Sequence, residues 1–270
     1  MTPVHFLLAI GAGAVAGVLG GLFGIGGGIF LVPVLSLGFG LPMHQAIAAS
    51  IVAVIATSSA TASVYVGKGI SNIRLGMSLE VMTTIGAVLG GLAANALAGD
   101  VLRHIFAAFL LCMAALMLWR SRMHGEGIIR YDPSASISGS YYDEAEKRTI
   151  EYSVRKLGAG MFVSFFAGNM SGLLGVGGGI IKVPVMNMVC GVPIKASTAT
   201  SNLMIGVTAV ASAFIFFLHG NVHPYYTAAA VLGVLGGSRI GTMLSVKLRG
   251  ATLMGLFVVV LFITAIRMAF

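Results

Sequence analysis

The sequence predicts an all-α polytopic membrane protein built from two inverted homologous repeats, each a glycine-broken helical hairpin followed by three transmembrane helices. Three observations carry this. The chain has 270 residues, of which 57% are hydrophobic and only 9% charged, where a soluble domain carries about a quarter charged residues. Its apolar residues fall into runs of roughly 20, the length at which a helix crosses a bilayer core. One phrase also occurs twice, as GLFGIGGGIFLVPVL from Gly21 and GLLGVGGGIIKVPVM from Gly172. A transmembrane β-barrel would instead show segments of about ten residues alternating polar and apolar, and the sequence has no such pattern.

A gapless shift of 151 residues lays much of the chain onto itself. Gly17 falls on Gly168, Gly24 on Gly175, Gly26 to Gly28 on Gly177 to Gly179, and Pro33 on Pro184. Pro42 meets Pro193, Ser50 meets Ser201, and Lys68-Gly69 meets His219-Gly220. A five-residue gap then brings AVLGG (87–91) onto GVLGG (233–237). The chain is an internal duplication.

The opening MTPVHFLLAIGAGAVAG has the apolar run of a signal peptide but no basic n-region. Its counterpart recurs after residue 157, so it reads as a structural segment. In each half a glycine-broken segment (4–38; 157–190) precedes three helices, near 44–66, 76–98 and 101–119, then 196–218, 224–246 and 251–269. The first repeat thus covers 1–119 and the second 157–270. Between them, the linker 120–156 holds seven of the sixteen Lys/Arg and six of the eight acids. That density keeps it out of hydrocarbon. Within it, DEAEKRTIEYSVRK places acids ahead of bases, which suits a short surface helix.

Orientation follows the Lys/Arg content of short loops. With the linker cytoplasmic and three helices before it, the 67–75 loop (Lys68, Arg74) lies inside and the 39–43 loop, without Lys/Arg, outside. If the second broken segment returns on itself, Lys195, Lys247 and Arg249 also lie inside and the 219–223 loop outside. A single crossing reverses all of these. The charge pattern therefore favours hairpins, inverted halves and both termini outside the cytoplasmic (inner) membrane. That gives eight long helices, or ten crossings if every limb spans; Arg103 and Arg267 run against it. The net charge of +8 then reflects cytoplasmic loops rather than a nucleic-acid surface. The expected partners are the lipid bilayer and a small anionic substrate, with a homo-oligomer left open. Cys112 and Cys190 sit in apolar runs away from any CxxC or Cys/His cluster, so neither a disulfide framework nor a zinc site is indicated. No cofactor is expected.

Glycine costs a plain helix roughly 1 kcal/mol per residue relative to alanine, so a repeated Gly-x-Gly-Gly-Gly needs a reason. Close helix packing in membranes uses small residues and suits Gly86, Gly90, Gly91, Gly233, Gly236 and Gly237. The triplets Gly26, Gly27, Gly28 and Gly177, Gly178, Gly179 suit a second role. They unwind the helix at membrane depth, and the next half-helix begins at Ile29 or Ile180 with free N–H groups. Those groups and the positive dipole end make an anion site. Pro33 and Pro184 keep the following turns distinct. Irregular backbone is tolerated at membrane depth only where protein or a water-filled cavity covers it. Paired broken helices in corresponding positions of two inverted halves point to a transporter's binding site.

In GIGGGIFLVPVL, GVGGGIIKVPVM and the A-x-x-S stretches QAIAAS (45–50) and KASTATSN (195–202), the chain resembles the TauE/SafE (TSUP) family of sulfite and organosulfonate exporters. The resemblance covers both halves. It implies export of small sulfur-containing anions, or uptake of related compounds in some members. The linker looks longer than the family usually carries, which leaves it a regulatory or partner role.

The candidate anion shell combines the backbone N–H groups after the two glycine triplets with hydroxyl and amide groups on the next helices. These are Ser50 from the first half and Thr200, Ser201 and Asn202 from the second. Asn169 and Ser171 precede the second triplet, where the first half has Val18 and Gly20. Such hydroxyls also bond their own helices. Two cations lie in apolar segments: Lys182, where the first half has Leu31, and Arg239 in LGGSRIG. An intramembrane charge costs at least about 2.5 kcal/mol on insertion scales, which makes each a site candidate. Snorkelling would be the structural explanation for Arg239, and an interfacial position for Lys182. Outside the linker the only acids are Glu80 and Asp100. Glu80 reads as a helix-start carboxylate, with a role as a gate or proton group left open, and a relay built on buried carboxylates is not expected.

Together these features point to a secondary transporter of a small sulfur oxyanion, in the export direction. Its rivals are a passive anion channel built on the same hairpins, a scaffold with packing glycines, and an enzyme. No Gly-Lys-Ser/Thr follows the glycines as a phosphate loop requires, and no acid appears until Glu80, too far on for a dinucleotide site, so an enzyme is not expected.

Overall fold

A computed structural model describes residues 3–122, 132, 136–143, 147–245, 262 and 265–266. The first half comprises α1 (Pro3–Phe23), α2 (Gly28–Pro33) with a π-helical extension (Val34–Gly38), α3 (Met43–Gly67), α4 (Ile73–Ala96) and α5 (Gly99–Arg122). Strands β1 (Ser138–Asp143) and β2 (Arg148–Ser153) follow. The second half comprises α6 (Leu157–Leu174), α7 (Gly179–Met188), α8 (Ile194–Leu218) and α9 (Pro224–Ser245). The helices α1, α3, α4, α6, α8 and α9 are long and apolar enough to cross a membrane. Of the predicted last helix, 251–269, only residues 262 and 265–266 are described, and they are helical.

The duplication is gapless throughout these elements. α2 and α7 begin at Gly28 and Gly179, α3 and α8 at Met43 and Ile194, and α4 and α9 at Ile73 and Pro224, each 151 residues apart. The helix crossings repeat with the same offset. A Cβ on Gly86 would lie 2.0 Å from Phe165 O, and one on Gly237 2.0 Å from Ala14 O; Gly90 meets Asn169 and Gly241 meets Val18 in the same way. Gly86 therefore corresponds to Gly237 and Gly90 to Gly241, which corrects the five-residue gap read from AVLGG and GVLGG. What the crossing conserves is the pair of small residues four apart that lets two backbones touch; the surrounding letters follow no such constraint.

These contacts also exchange the hairpin limbs between halves. α1 lies along α9, and α6 lies along α4. Both broken segments turn back. Arg155 N donates to Cys190 O at 2.9 Å, which joins the chain just before α6 to the chain just after α7. In the first half the start of α1 and the end of the π-helical turn meet neighbouring tyrosines at the start of α9, with Phe6–Tyr225 and Phe39–Tyr226 ring centroids 4.8 and 5.5 Å apart.

The two hairpins open to opposite ends of the bundle. At the first end, His44 Nε2 lies 3.1 and 3.0 Å from Ala94 O and Leu97 O, and Asn221 Nδ2 donates to Asn95 Oδ1. At the other, Asn72 N donates to Thr200 Oγ1 at 2.9 Å and Lys195 Nζ donates to both carboxylate oxygens of Asp143 at 2.7 and 2.8 Å.

The linker departs from its predicted surface helix. Its described part is an antiparallel hairpin pairing Ser138 with Ser153 through Asp143 with Arg148. Tyr141 and Tyr152, two of its large aromatics, bury against Leu75, Leu79, Met186, Cys190 and Met204. A helix would have offered charge pairs to water; alternating strand geometry sends both tyrosines to one apolar face. Asn72 fastens the hairpin, with Nδ2 donating to Ser138 O at 3.3 Å and Tyr152 Oη at 3.2 Å. Its Oδ1 also caps α4 by accepting from Leu75 N at 3.0 Å.

Candidate functional site

Each glycine triplet breaks its helix through left-handed backbone. Gly24, Gly26 and Gly27 have φ of +69°, +80° and +75°, and Gly175, Gly177 and Gly178 have +71°, +82° and +69°. Such values are cheap only for glycine. The new helices start at Gly28 and Gly179, one residue before the predicted Ile29 and Ile180. Gly27 O accepts from Phe30 and Leu31 N, and Gly178 O from Ile181 and Lys182 N. Pro33 and Pro184 lie inside these short helices, where each withholds the N–H that would bond the carbonyl four residues back. After Pro33 the first helix passes into its π-helical turn.

The two turns meet around a shared apolar contact. Val54 and Ile205, themselves 151 apart, both touch Gly26 and Gly177. A Cβ on Gly28 would lie 2.3 Å from Gly175 O, and one on Gly179 2.7 Å from Gly24 O. In this conformation Gly28 and Gly179 each press on a carbonyl of the opposite turn, rather than on the free N–H groups that the glycine triplets predict for the anion site. Helix polarity explains the difference. The residue that ends the incoming helix leaves a carbonyl pointing onward, and the opposite turn, lacking side chains, is what can approach it.

The equivalent serines differ. Ser50 Oγ lies within donor distance of both Gly175 O (3.0 Å) and Gly28 O (3.3 Å), bridging the turns. Ser201 is equally buried, 3.2 Å from a Cβ on Gly179, yet its hydroxyl has no hydrogen-bond partner. A buried polar group left unpaired is costly, and this open hydroxyl of α8 lies against the start of α7.

Of the other candidates, Thr200 and Asn202 are engaged elsewhere. Thr200 Oγ1 accepts from Asn72 N. Asn202 Oδ1 accepts from Thr61 Oγ1 at 3.2 Å and its carbonyl accepts from Ser58 Oγ, tying α8 to α3. Asn169 lends its backbone to the Gly90 crossing, and Ser171 O closes α6 by accepting from Gly175 N. Arg239 is exposed on the outer face of α9, so the reading of two buried cations reduces to one.

That cation is Lys182, 1% exposed and bonded by Nζ to Thr208 Oγ1 at 2.9 Å. Thr208 Oγ1 in turn lies 2.6 Å from Glu80 Oε1, and Lys182 Nζ lies 3.6 Å from Glu80 Oε2. Thr84 also donates to Glu80 Oε1, at 3.2 Å. Glu80 is 6% exposed, so it is no helix-start carboxylate at a surface, and the expectation of no buried carboxylate fails here. Burying an unpaired charge costs far more than burying a pair, and α7 and α4 supply the two partners. Lys182 reaches this pair because helical side chains lean toward the N-terminus, here back toward the glycine turn.

Comparison with known proteins agrees with this architecture. A family model described as "Sulfite exporter TauE/SafE" matches residues 9–268. The chain is 24% identical to "Probable membrane transporter protein YunE" of Bacillus subtilis (strain 168), over 96% of this chain and 95% of that protein. It is 27% identical to a "Probable membrane transporter protein" of Xylella fastidiosa (strain 9a5c), covering 92% and 87%. It is 26% identical to "Probable membrane transporter protein MJ0441" of Methanocaldococcus jannaschii, covering 81% and 74%. No solved structure gives a significant match. With broken hairpins in both halves and a family match running almost end to end, the chain belongs to the TauE/SafE family of membrane transporters.

Proposed function

We propose that this chain is a secondary transporter that exports a small sulfur oxyanion, sulfite or a sulfonate, across the cytoplasmic membrane by alternating access. The observation that supports this best is the start of α7. There a left-handed glycine break runs into a helix that carries a buried lysine (Lys182), and Ser201 of α8, a buried hydroxyl without a partner, lies against Gly179. Helix N–H groups, hydroxyls and ammonium groups all favour negative charge. The first half repeats the break but spends its serine on carbonyls, so the anion is assigned to the second half. Gly177, Gly178 and Gly179 frame the site, and Gly26, Gly27 and Gly28 form the turn that must part from it. The contacts between turns are close in this conformation, and opening toward either end requires the hairpins to separate. In the membrane the linker faces the cytoplasm and both termini face outside.

The test is a proteoliposome flux assay with sulfite, sulfoacetate and other sulfonates, with and without a pH gradient. Saturable flux with accumulation against an anion gradient supports the transporter. Flux that only dissipates a gradient indicates the passive channel, and no saturable anion flux under any gradient removes the proposal.

A further inference from the structure

We infer that Glu80 is a proton-binding site, and that a proton there and an anion at Lys182 are taken up together. This names the coupling ion of the transport reading above and rests on it.

The geometry has three parts. Glu80 Oε1 is engaged by Thr208 and Thr84, whereas Oε2 is buried, 3.6 Å from Lys182 Nζ, and has no hydrogen-bond partner. Thr208 joins the two charges, accepting from Lys182 Nζ within reach of Glu80 Oε1. Charge is also scarce around them. α6 and α8 are the helices packed along this part of α4; α6 carries no titratable side chain, and Lys195 of α8 pairs with Asp143 at the linker end. On α4 itself the nearest charge is Arg74, which is exposed. Tyr141, Tyr152 and Cys190 belong to the apolar layer on the linker side, together with Leu79, Met186 and Met204.

The duplication supplies an internal control. The positions equivalent to Lys182, Glu80 and Thr208 are Leu31, Val231 and Thr57. The first half folds the same elements around Leu31, which is fully buried, and Thr57 bonds only its own helix through Ala53 O. The architecture does not need the charges; the second half carries them in addition.

Two buried, opposite charges with no third charged partner among the described residues restrict what can bind. An anion that takes Lys182 strands the Glu80 carboxylate, and a proton on Glu80 strands the ammonium. Either state alone leaves one uncompensated buried charge. When both arrive, hydronium gives its proton to Oε2 and leaves as water, the carboxyl becomes neutral, and the ammonium compensates one negative charge of the anion. The site is neutral before and after. Proton and anion therefore raise one another's affinity reciprocally, and the pair crosses as a neutral unit.

The test uses the full-length protein in liposomes with membrane voltage clamped at zero, with sulfite and with methanesulfonate, whose charge is fixed. Wild type is expected to accumulate methanesulfonate by about tenfold per unit of pH gradient, following one-to-one linkage. Glu80→Gln keeps the site polar but cannot take up a proton. It is expected to lose this accumulation entirely while still unfolding cooperatively in detergent. The double variant Glu80→Val/Lys182→Leu, which copies the first half and controls for folding, is expected to be folded and inactive. Wild-type flux indifferent to the pH gradient, or uphill accumulation surviving in Glu80→Gln, overturns the inference while leaving the transport reading intact. No saturable flux in wild type overturns both.

Discussion

Lys182 and Glu80 stand 102 positions apart in sequence, yet their charged atoms lie 3.6 Å apart inside the bundle, bridged by Thr208. Their counterparts in the duplicated half, Leu31 and Val231, carry no charge.

Removing one member of this pair should be worse than removing both. Lys182→Leu leaves a buried carboxylate uncompensated and is expected to destabilise by about 3–5 kcal/mol. The double variant with Glu80→Val replaces the pair by apolar side chains and is expected to recover most of that loss. Thermal unfolding of the four proteins of the cycle in detergent measures this. Additive losses would show that the two residues do not interact.

The glycine turn should tolerate no side chain. Gly27 has φ +75° and a Cβ there would lie 2.5 Å from Ala16 O, whereas Gly40 has φ +67° with nothing within 4 Å. Gly40→Ala is expected to cost only the left-handed backbone, about 1–2 kcal/mol. Gly27→Ala must also push α1 from α2, so a larger loss of melting temperature, together with loss of anion flux, is expected. Equal losses would refute the close approach.

The interhelical crossing offers a second contrast. A Cβ on Gly168 would lie 1.9 Å from Thr83 O, while Gly11 in α1 has open space. Gly11→Ala is expected to stabilise by roughly 0.5–1 kcal/mol, and Gly168→Ala to destabilise by forcing α6 off α4. The same unfolding experiment reads both signs.

The linker hairpin should loosen in alkali. Burial raises the Tyr152 phenol above its usual value of 10.0, with the Asn72 hydrogen bond opposing the shift. A phenol whose pKa is raised on folding contributes its full stability below pH 10 and loses it as pH climbs through the folded value. Docking of β1 and β2 is therefore expected to weaken above that range, read as faster exchange of their amides once intrinsic rates are divided out. Tyr152→Phe should cost about 1 kcal/mol of docking at neutral pH and abolish this alkaline component. An unchanged alkaline profile in Tyr152→Phe would assign the loss to another group.

Much of the molecule was legible in the chain itself. Composition and run length determined a helical membrane protein, and a constant offset of 151 determined the repeat. The triple glycines marked both helix breaks to within a residue, because backbone that costs other residues strain is written directly in glycine. The charge bias of the loops pointed to hairpins that return. The burial of Lys182 also carried a usable signal, since a buried cation demands an acid and only Glu80 and Asp100 lie outside the linker.

The tertiary structure decided the rest. Whether Glu80 faces Lys182 depends on how α4, α7 and α8 pack, and no local periodicity encodes that. Ser50 and Ser201 occupy equivalent positions in sequence, yet one bridges two carbonyls and the other has no partner. Arg239 looked as buried as Lys182 in its apolar run but lies on the outer face of its helix. The linker's charge order suggested a helix until two tyrosines found an apolar surface assembled from distant segments. Propensity and composition act over one or two turns of chain, whereas the partner of a buried charge or aromatic ring is fixed only when separate helices meet.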